Sequence, residues 1–337
     1  MNVSIFIFGG SVLKRIISMF LFVMLVVAGC STPMTEEASI EKQQSIGILL
    51  SDTGLGDGSF NDSAFRGLER ARDELGILFD YREAPDGNFE EALQELVDQK
   101  HELVIGLGFS IQDAIEKIAI ENPDQKFLLI DGFSDVDNIT SITFKEHEGS
   151  FLLGMVAAMK SKSNTIGFIS GADVPVIQRF EKGFEQGAQY INPSIKVLKD
   201  NADNFGDAEL GGKIAENQMK QGADFIYPAA GFTGVGAIQA AQKAGILSGG
   251  VDSDQYFIAE KSVVTSMVKK VDNAVFNITN ELISNQKITQ QAYELGLKED
   301  GVGLAPIRVT SLSPEETKQL EDAKDKIISG DITIKLQ

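Results

Sequence analysis

The sequence predicts an α/β fold of two doubly wound, parallel-sheet lobes with a cleft between them. Three observations predict it. Short, near-continuous apolar runs recur from Ser45 onward, amphipathic stretches separate them, and the alternation occurs twice, restarting at Thr165. Strands buried on both faces read as unbroken apolar runs, and strand–helix alternation at this spacing implies βαβ units.

The chain opens with a segment outside this pattern. Lys14 and Arg15 precede the apolar "IISMFLFVMLVV", and "AGC" follows. A charged start, an apolar stretch too short to span a bilayer and small residues before a cleavage point read as a signal peptide over residues 1–29. "VAGC" resembles the bacterial lipobox, which implies cleavage before Cys30 and lipidation of its thiol. Cys30 is the sole cysteine, so no disulfide is available. Residues 30–44, polar and aperiodic after the cysteine, are expected to be a tether.

In the first lobe the strand runs are "IGILL" (46–50), "ILFDY" (77–81), "ELVIGLG" (102–108) and "KFLLID" (126–131), and the set ends near Thr143. Helical patterns "DSAFRGLERARDELG" (62–76) and "NFEEALQELVDQK" (88–100) lie between them. "KEHEGSFLLGMVAAMKSK" reads as the helix that leads into the second set. There the runs are "TIGFIS" (165–170), "IKVL" (195–198), "ADFIYPA" (223–229) and "LSGGVD" (247–252), with helices over 173–191 and 207–222. "SVVTSMVKKVDNAVFNITNELIS" (262–284) supplies one more strand and helix. The expected division is residues 45–145 plus 263–290 for the N-terminal lobe and 146–262 plus 291–337 for the C-terminal lobe.

Composition excludes several functions. The 30 Lys+Arg residues stand against 49 Asp+Glu, a net charge of −19, which repels nucleic acid and anionic headgroups. "GLGDGSFN" has the glycines of a phosphate loop but no lysine, and its aspartates would repel phosphate. No G-x-S-x-G occurs. His101 and His147 are the only histidines and are expected on solvated edges, which leaves no material for Cys–His catalysis or a zinc site. A calcium loop from Asp200 would need glycine at Phe205 and glutamate at Gly211. The expectation is a protein that is not an enzyme and has no cofactor and no metal.

The loop ends carry aromatics and carboxylates instead. Asp62, Asp131, Asp252 and Asp254 are expected to face one cleft, with Phe60, Phe65, Phe109, Phe133, Phe205 and Phe232 at loop ends. Ionised carboxylates only accept hydrogen bonds, so a flat, donor-rich ligand with a polyol part suits both groups. Asp52 and Asp62 also suit helix N-caps, and Asp131 suits a turn.

The stretches "GDGSFNDSAFRGLE", "GLGF", "IDGF", "EGSFLLGMVAA", "IGFISGADVPVIQRFEKGFEQGA", "GVDSDQ" and "TSMVKKVDNAV", in this order, resemble the basic membrane protein family of substrate-binding lipoproteins. The resemblance is to its purine nucleoside receptors in particular. It implies a type I periplasmic-binding fold whose lobes close on a purine nucleoside (guanosine, inosine or adenosine). It further implies an ABC permease as partner, a monomer, and a place on the outer face of the cytoplasmic membrane, anchored through Cys30. Carried over by motif, Asn61 and Asp62 meet the base or ribose, Phe65 stacks on the base and Asp131 accepts from base N–H groups. Phe109 is a further contact in "GLGF". Phe205 is the opposing stack, Gly231 and Asp254 contact ribose, and Lys269 matches the ribose-contacting lysine. Gly58 stands where many relatives carry lysine. The alternatives are a regulatory or sensory lipoprotein of the same fold, or a receptor for another polar ligand such as a sugar.

Overall fold

The computed structural model describes residues 43–336. The expected signal peptide, Cys30 and the tether up to Lys42 lie outside the described residues. The body holds two six-stranded sheets.

The first lobe starts with β1 (Ser45–Leu49), α1 (Phe60–Leu75), β2 (Leu78–Arg82), α2 (Phe89–Asp98) and β3 (Leu103–Leu107). It continues through α3 (Gln112–Glu121), β4 (Phe127–Ile130) and β5 (Ile139–Phe144). The second lobe repeats the scheme: α4 (Glu146–Lys160), β6 (Thr165–Ser170), α5 (Pro175–Ile191), β7 (Lys196–Asn201), α6 (Ala208–Lys220), β8 (Phe225–Ala229), α7 (Gly231–Ala244) and β9 (Leu247–Asp252). The chain then runs through β10 (Val263–Lys269), α8 (Val271–Asn285), β11 (Ala292–Leu295), β12 (Val302–Leu304) and α9 (Pro314–Ser329).

Strand order is β2-β1-β3-β4-β5-β11 in the first sheet and β7-β6-β8-β9-β10-β12 in the second. Every pairing is parallel except β10 with β12. Each sheet reverses direction of winding at its first strand, β1 or β6, and crevices outside the carboxyl ends of such strands hold ligands. The fully buried "LVIGL" of β3 and "FIYPA" of β8 show why the apolar runs marked strands.

The lobe division differs from the expected one. Val263–Lys269 pairs with β9, so the chain leaves the second sheet after Lys269 rather than before Val263. β11 pairs with β5 and so joins the first sheet, although residues from 291 onward were expected in the second lobe. Both assignments follow from which open sheet edge was available to the returning chain. Helix α8 packs on α1 of the first lobe, where Gly67 admits the close approach: a Cβ there would lie 2.5 Å from Asp272 O. Three passes thus join the lobes, and their backbones bond to one another. Lys145 N donates to Leu295 O at 3.0 Å, and Lys270 N donates to Gly301 O at 2.8 Å.

Candidate functional site

The glycine-rich loop after β1 is filled by its own carboxylates. Asp57 accepts from the backbone N–H of Ser59, Asn61 and Asp62 at 2.9, 2.8 and 3.2 Å, and so caps α1 from inside the turn. Asp62 reaches back to accept from Gly56 N and Gly58 N at 2.8 and 2.9 Å. Gly56 and Gly58 have φ of 90° and 60°, which only glycine adopts freely. The donors that such a loop offers to phosphate elsewhere are thus already taken. Burial pushes the Asp57 carboxyl above its ordinary range, and its backbone hydrogen bonds oppose that.

Asn61 is fully buried and laces the same loop. Its Oδ1 accepts from Ser51 N at 2.9 Å, and its Nδ2 donates to Thr53 Oγ1 at 2.9 Å. Ser51, Thr53 and Asp57 in turn line a cavity between the lobes, of about 630 Å3 with its open mouth included.

Five of the nine residues singled out for ligand contact line this cavity: Phe109, Asp131, Phe205, Gly231 and Lys269. Phe109 of the first lobe faces Phe205 of the second, with ring centroids 6.4 Å apart and planes tilted by 55°. Phe205 packs closely against Gly171, where a Cβ would sit 2.2 Å from the ring. Asp131 follows β4 and Asp252 ends β9, the fourth strand of each sheet's own series. Both adopt left-handed backbone, φ 64° and 60°, a conformation Asp tolerates better than most residues. Each keeps one buried oxygen, Oδ1, that accepts no hydrogen bond.

Lys269 is buried on the cavity floor. Its Nζ donates to Asp131 Oδ2 and lies 3.1 Å from Glu146 Oε1, in ion-pair contact though off the line of a hydrogen bond. The rings of Phe60 and Phe144 each stand 5.0 Å from the ammonium. Burial opposes the charge on Lys269, but Asp131, Glu146 and Asp252 together hold its pKa above the ordinary lysine range. Burial raises Glu146 to about 7 and Asp252 to about 6, each partly offset by Lys269.

The other four residues lie elsewhere. Asn61 and Asp62 shape the loop as described. Phe65 packs edge-on against Phe79 and Tyr81 at 5.3 and 5.6 Å, on the β2 side of its helix, and does not line the cavity. Asp254 forms a two-point pair with Arg308 at 2.8 and 2.9 Å and caps the turn at Tyr256 N. That pairing takes it out of the cavity lining, which contains Asp252 instead. Phe133 and Phe232 are exposed and do not line the cavity either.

The histidines also differ from expectation. His101 is buried with its ring nitrogens 2.9 Å from Ser45 Oγ and from the side-chain amide of Gln99. His147 is largely buried, and burial first, then Arg179 and Lys145, lower it to about 4.

Sequence reasoning missed Glu146 and the apolar wall of Val176, Ile177 and Phe180. Glu146 had a signal: it is an acid in the first turn of a helix whose middle, Phe151 to Met159, is an unbroken run of apolar and small residues. The wall residues begin α5 directly after Pro175, and nothing local separates them from ordinary core.

The lobes touch across the cleft. Ser59 Oγ donates to Asp252 Oδ2 at 2.8 Å, and Arg66 Nη2 donates to Ser253 Oγ at 2.8 Å. Among the described residues no group of side chains is arranged to hold a metal ion, and no helix is long and apolar enough to cross a membrane.

Comparison with known proteins agrees with this architecture. A family model described as "ABC transporter substrate-binding protein PnrA-like" matches residues 44–337. Basic membrane protein A of Borreliella burgdorferi is 32% identical over 331 residues, covering 96% of each chain. A CD4+ T-cell-stimulating antigen of Listeria innocua is 30% identical, covering 94% of this chain and 96% of the relative. Among solved structures, an ABC transporter solute-binding protein from Aeropyrum pernix superposes with a TM-score of 0.79 at 27% identity, over 86% of this chain and 92% of the other. A transcriptional activator of comK from Bacillus halodurans shares the fold at a TM-score of 0.74 and 24% identity, over 86% of this chain and 99% of the other. A two-lobed body that meets over an acceptor-lined cavity, matched along its whole described length, places the chain in the PnrA-like family of ABC transporter substrate-binding proteins.

Proposed function

We propose that this substrate-binding protein captures a purine nucleoside between its lobes and hands it to the permease of an ABC importer. The proposal includes a lipid anchor on Cys30 that keeps the body at the outer face of the cytoplasmic membrane. Phe109 and Phe205 bracket the base, Asp131 accepts from its ring N–H groups, and Gly231 admits the ribose close to the backbone. Lys269 supplies the one cation of the cavity floor. The reading is of a binding protein rather than an enzyme.

The observation that carries the reading is the pairing of opposed aromatic rings with buried carboxylate oxygens that still lack donors. A flat ligand rich in N–H and O–H groups satisfies both at once. Phosphate does not fit, because the loop donors are occupied by Asp57 and Asp62 and the lining is acidic.

Calorimetric titration of the chain from Ser31 onward tests it, with guanosine, inosine, adenosine, uridine, ribose and guanosine monophosphate. Purine nucleosides are expected to bind tightly, and ribose and the monophosphate far more weakly. Equal binding of ribose would overturn the base-stacking assignment, and equal binding of the monophosphate would overturn the acceptor-lined cleft. Metabolic labelling with an alkyne fatty acid, lost in Cys30→Ala, tests the anchor.

A further inference from the structure

Glu146 brings a carboxyl group into a buried cluster of charged side chains behind the cleft. It is fully buried at the start of α4, directly after the first pass between the lobes. It does not line the cavity, yet it stands behind Lys269, which does. The charged groups around it come from several elements. Lys269 approaches from β10 at 3.1 Å, Arg179 from α5 at 3.4 Å, and Asp131 from the end of β4 acts through the same ammonium. Asp252 and Tyr227 complete the buried electrostatic cluster, and Lys145 and His147 flank Glu146 on its own segment.

A lysine ammonium has three donors. One goes to Asp131 Oδ2, and Glu146 draws the ammonium toward α4. Asp131 Oδ1 and Asp252 Oδ1 are left without donors, both on cavity-lining residues. Remove the charge on Glu146, and the ammonium gains by turning to those two oxygens. They are then lost to a ligand.

We propose that Glu146 is the positioning residue of the cleft: it holds the Lys269 ammonium back so that Asp131 and Asp252 each keep an acceptor for ligand donors. Binding is therefore strongest when Glu146 is ionised. With burial raising it to about 7, its proton returns near neutrality, and Asp252, raised to about 6, adds to the loss only at lower pH. Between about pH 8 and pH 6.5, protonation of Glu146 alone lowers affinity roughly four-fold if only the ionised form binds. The inference deepens the reading of the cleft as a nucleoside site, but its core does not depend on which ligand enters.

The test has two arms, run on wild type and Glu146→Gln, whose amide keeps the shape and removes the charge. In the first, inosine is titrated calorimetrically at several pH values between about 6.5 and 8. Wild-type Kd is expected to rise roughly four-fold as pH falls, while Glu146→Gln is weak throughout and flat. A wild-type Kd that matches the variant at every pH overturns the proposal.

The second arm uses no ligand. The Lys269 ammonium is buried, so its protons exchange slowly and its 15N resonance is observable. In wild type the resonance is expected to move with a midpoint near neutrality, and in Glu146→Gln to stay still. A wild-type resonance that does not move overturns the proposal whatever inosine does. If inosine fails to bind wild type while the resonance titrates, the nucleoside reading falls and the positioning role stands. Circular dichroism checks that the variant is folded.

Discussion

Ser59 Oγ of the first lobe donates to Asp252 Oδ2 of the second at 2.8 Å, so one hydrogen bond joins the helix that starts at the glycine-rich loop to the carboxylate that ends β9. The bond is partly buried between the lobes and exists only while they meet. Ser59→Ala removes it and leaves the carboxylate short of a donor, at a cost of about 1–2 kcal/mol to the closed form. Ligand affinity is expected to fall roughly ten-fold, and small-angle scattering of the ligand-bound variant should show a larger open fraction. Unchanged affinity and scattering would show that closure does not depend on this contact.

Asp252 itself makes stability depend on pH. Burial raises its folded pKa to about 6, above the value of an exposed carboxyl. The folded state therefore holds a proton that the unfolded chain has released, and stability from this group is lost as pH rises toward 6. Asp252→Asn is expected to flatten that decline and to be more stable than wild type above about pH 6, by ~1–2 kcal/mol in urea unfolding. The same variant should bind ligand more weakly, which separates its role in binding from its cost to folding.

Two phenylalanines should respond oppositely to truncation. Phe205 faces Phe109 across the cavity, whereas Phe65 packs on Phe79 and Tyr81. Phe205→Ala is expected to cost about 1–3 kcal/mol of nucleoside affinity with little effect on unfolding. Phe65→Ala should lower stability by about 1–3 kcal/mol and leave affinity close to wild type. Calorimetry beside urea denaturation distinguishes them, and a reversed pattern would contradict the cavity assignment.

Helices α4 and α5 touch through glycines. A Cβ at Gly187 would lie 1.9 Å from Phe151 O, and one at Gly154 would lie 2.1 Å from Phe184 O. These neighbours are backbone and cannot rotate aside. Gly187→Ala gains helix propensity of about 1 kcal/mol but forces the helices apart, at about 1–3 kcal/mol or more. A net loss of stability is expected in denaturant melts, and a gain would show that the helices separate freely.

Lys269 compensates three buried acids. Lys269→Met leaves Asp131, Glu146 and Asp252 without their common cation, expected to cost about 3–5 kcal/mol at alkaline pH. Glu146 and Asp252 have raised pKa values, so both are protonated in acid and the penalty shrinks there. Unfolding of wild type and variant at about pH 5 and pH 8 should converge at the lower pH. A penalty independent of pH would mean that lost packing, not lost charge, dominates.

Much of the fold was legible in the chain because its signals are local. Apolar runs such as "LVIGL" marked strands buried on both faces, and the amphipathic period marked the helices between them. Loop ends with Asp131, Phe109 and Phe205 stood out as polar or aromatic interruptions at strand termini. The residues that misled are those whose partner comes from far along the chain. Asp254 looks free until Arg308, 54 residues on, closes on it. Phe65 sits in a motif beside Asn61, but the helix turns it toward β2 rather than the cleft.

The sequence by itself determined the alternation of strands and helices, the repeat of that alternation, the acidic balance and the family-like motifs. Only the tertiary structure decided that β10 lies in the second sheet and β11 in the first, since each takes whichever open edge the chain meets on return. It also decided that Glu146 is a buried charge rather than a helix-start acid in water, because burial depends on what packs over a residue. Propensity and periodicity are written within a few residues of each position. Sheet edges, buried ion pairs and the two sides of a cleft are made between segments a hundred residues apart, and exist only once those segments meet.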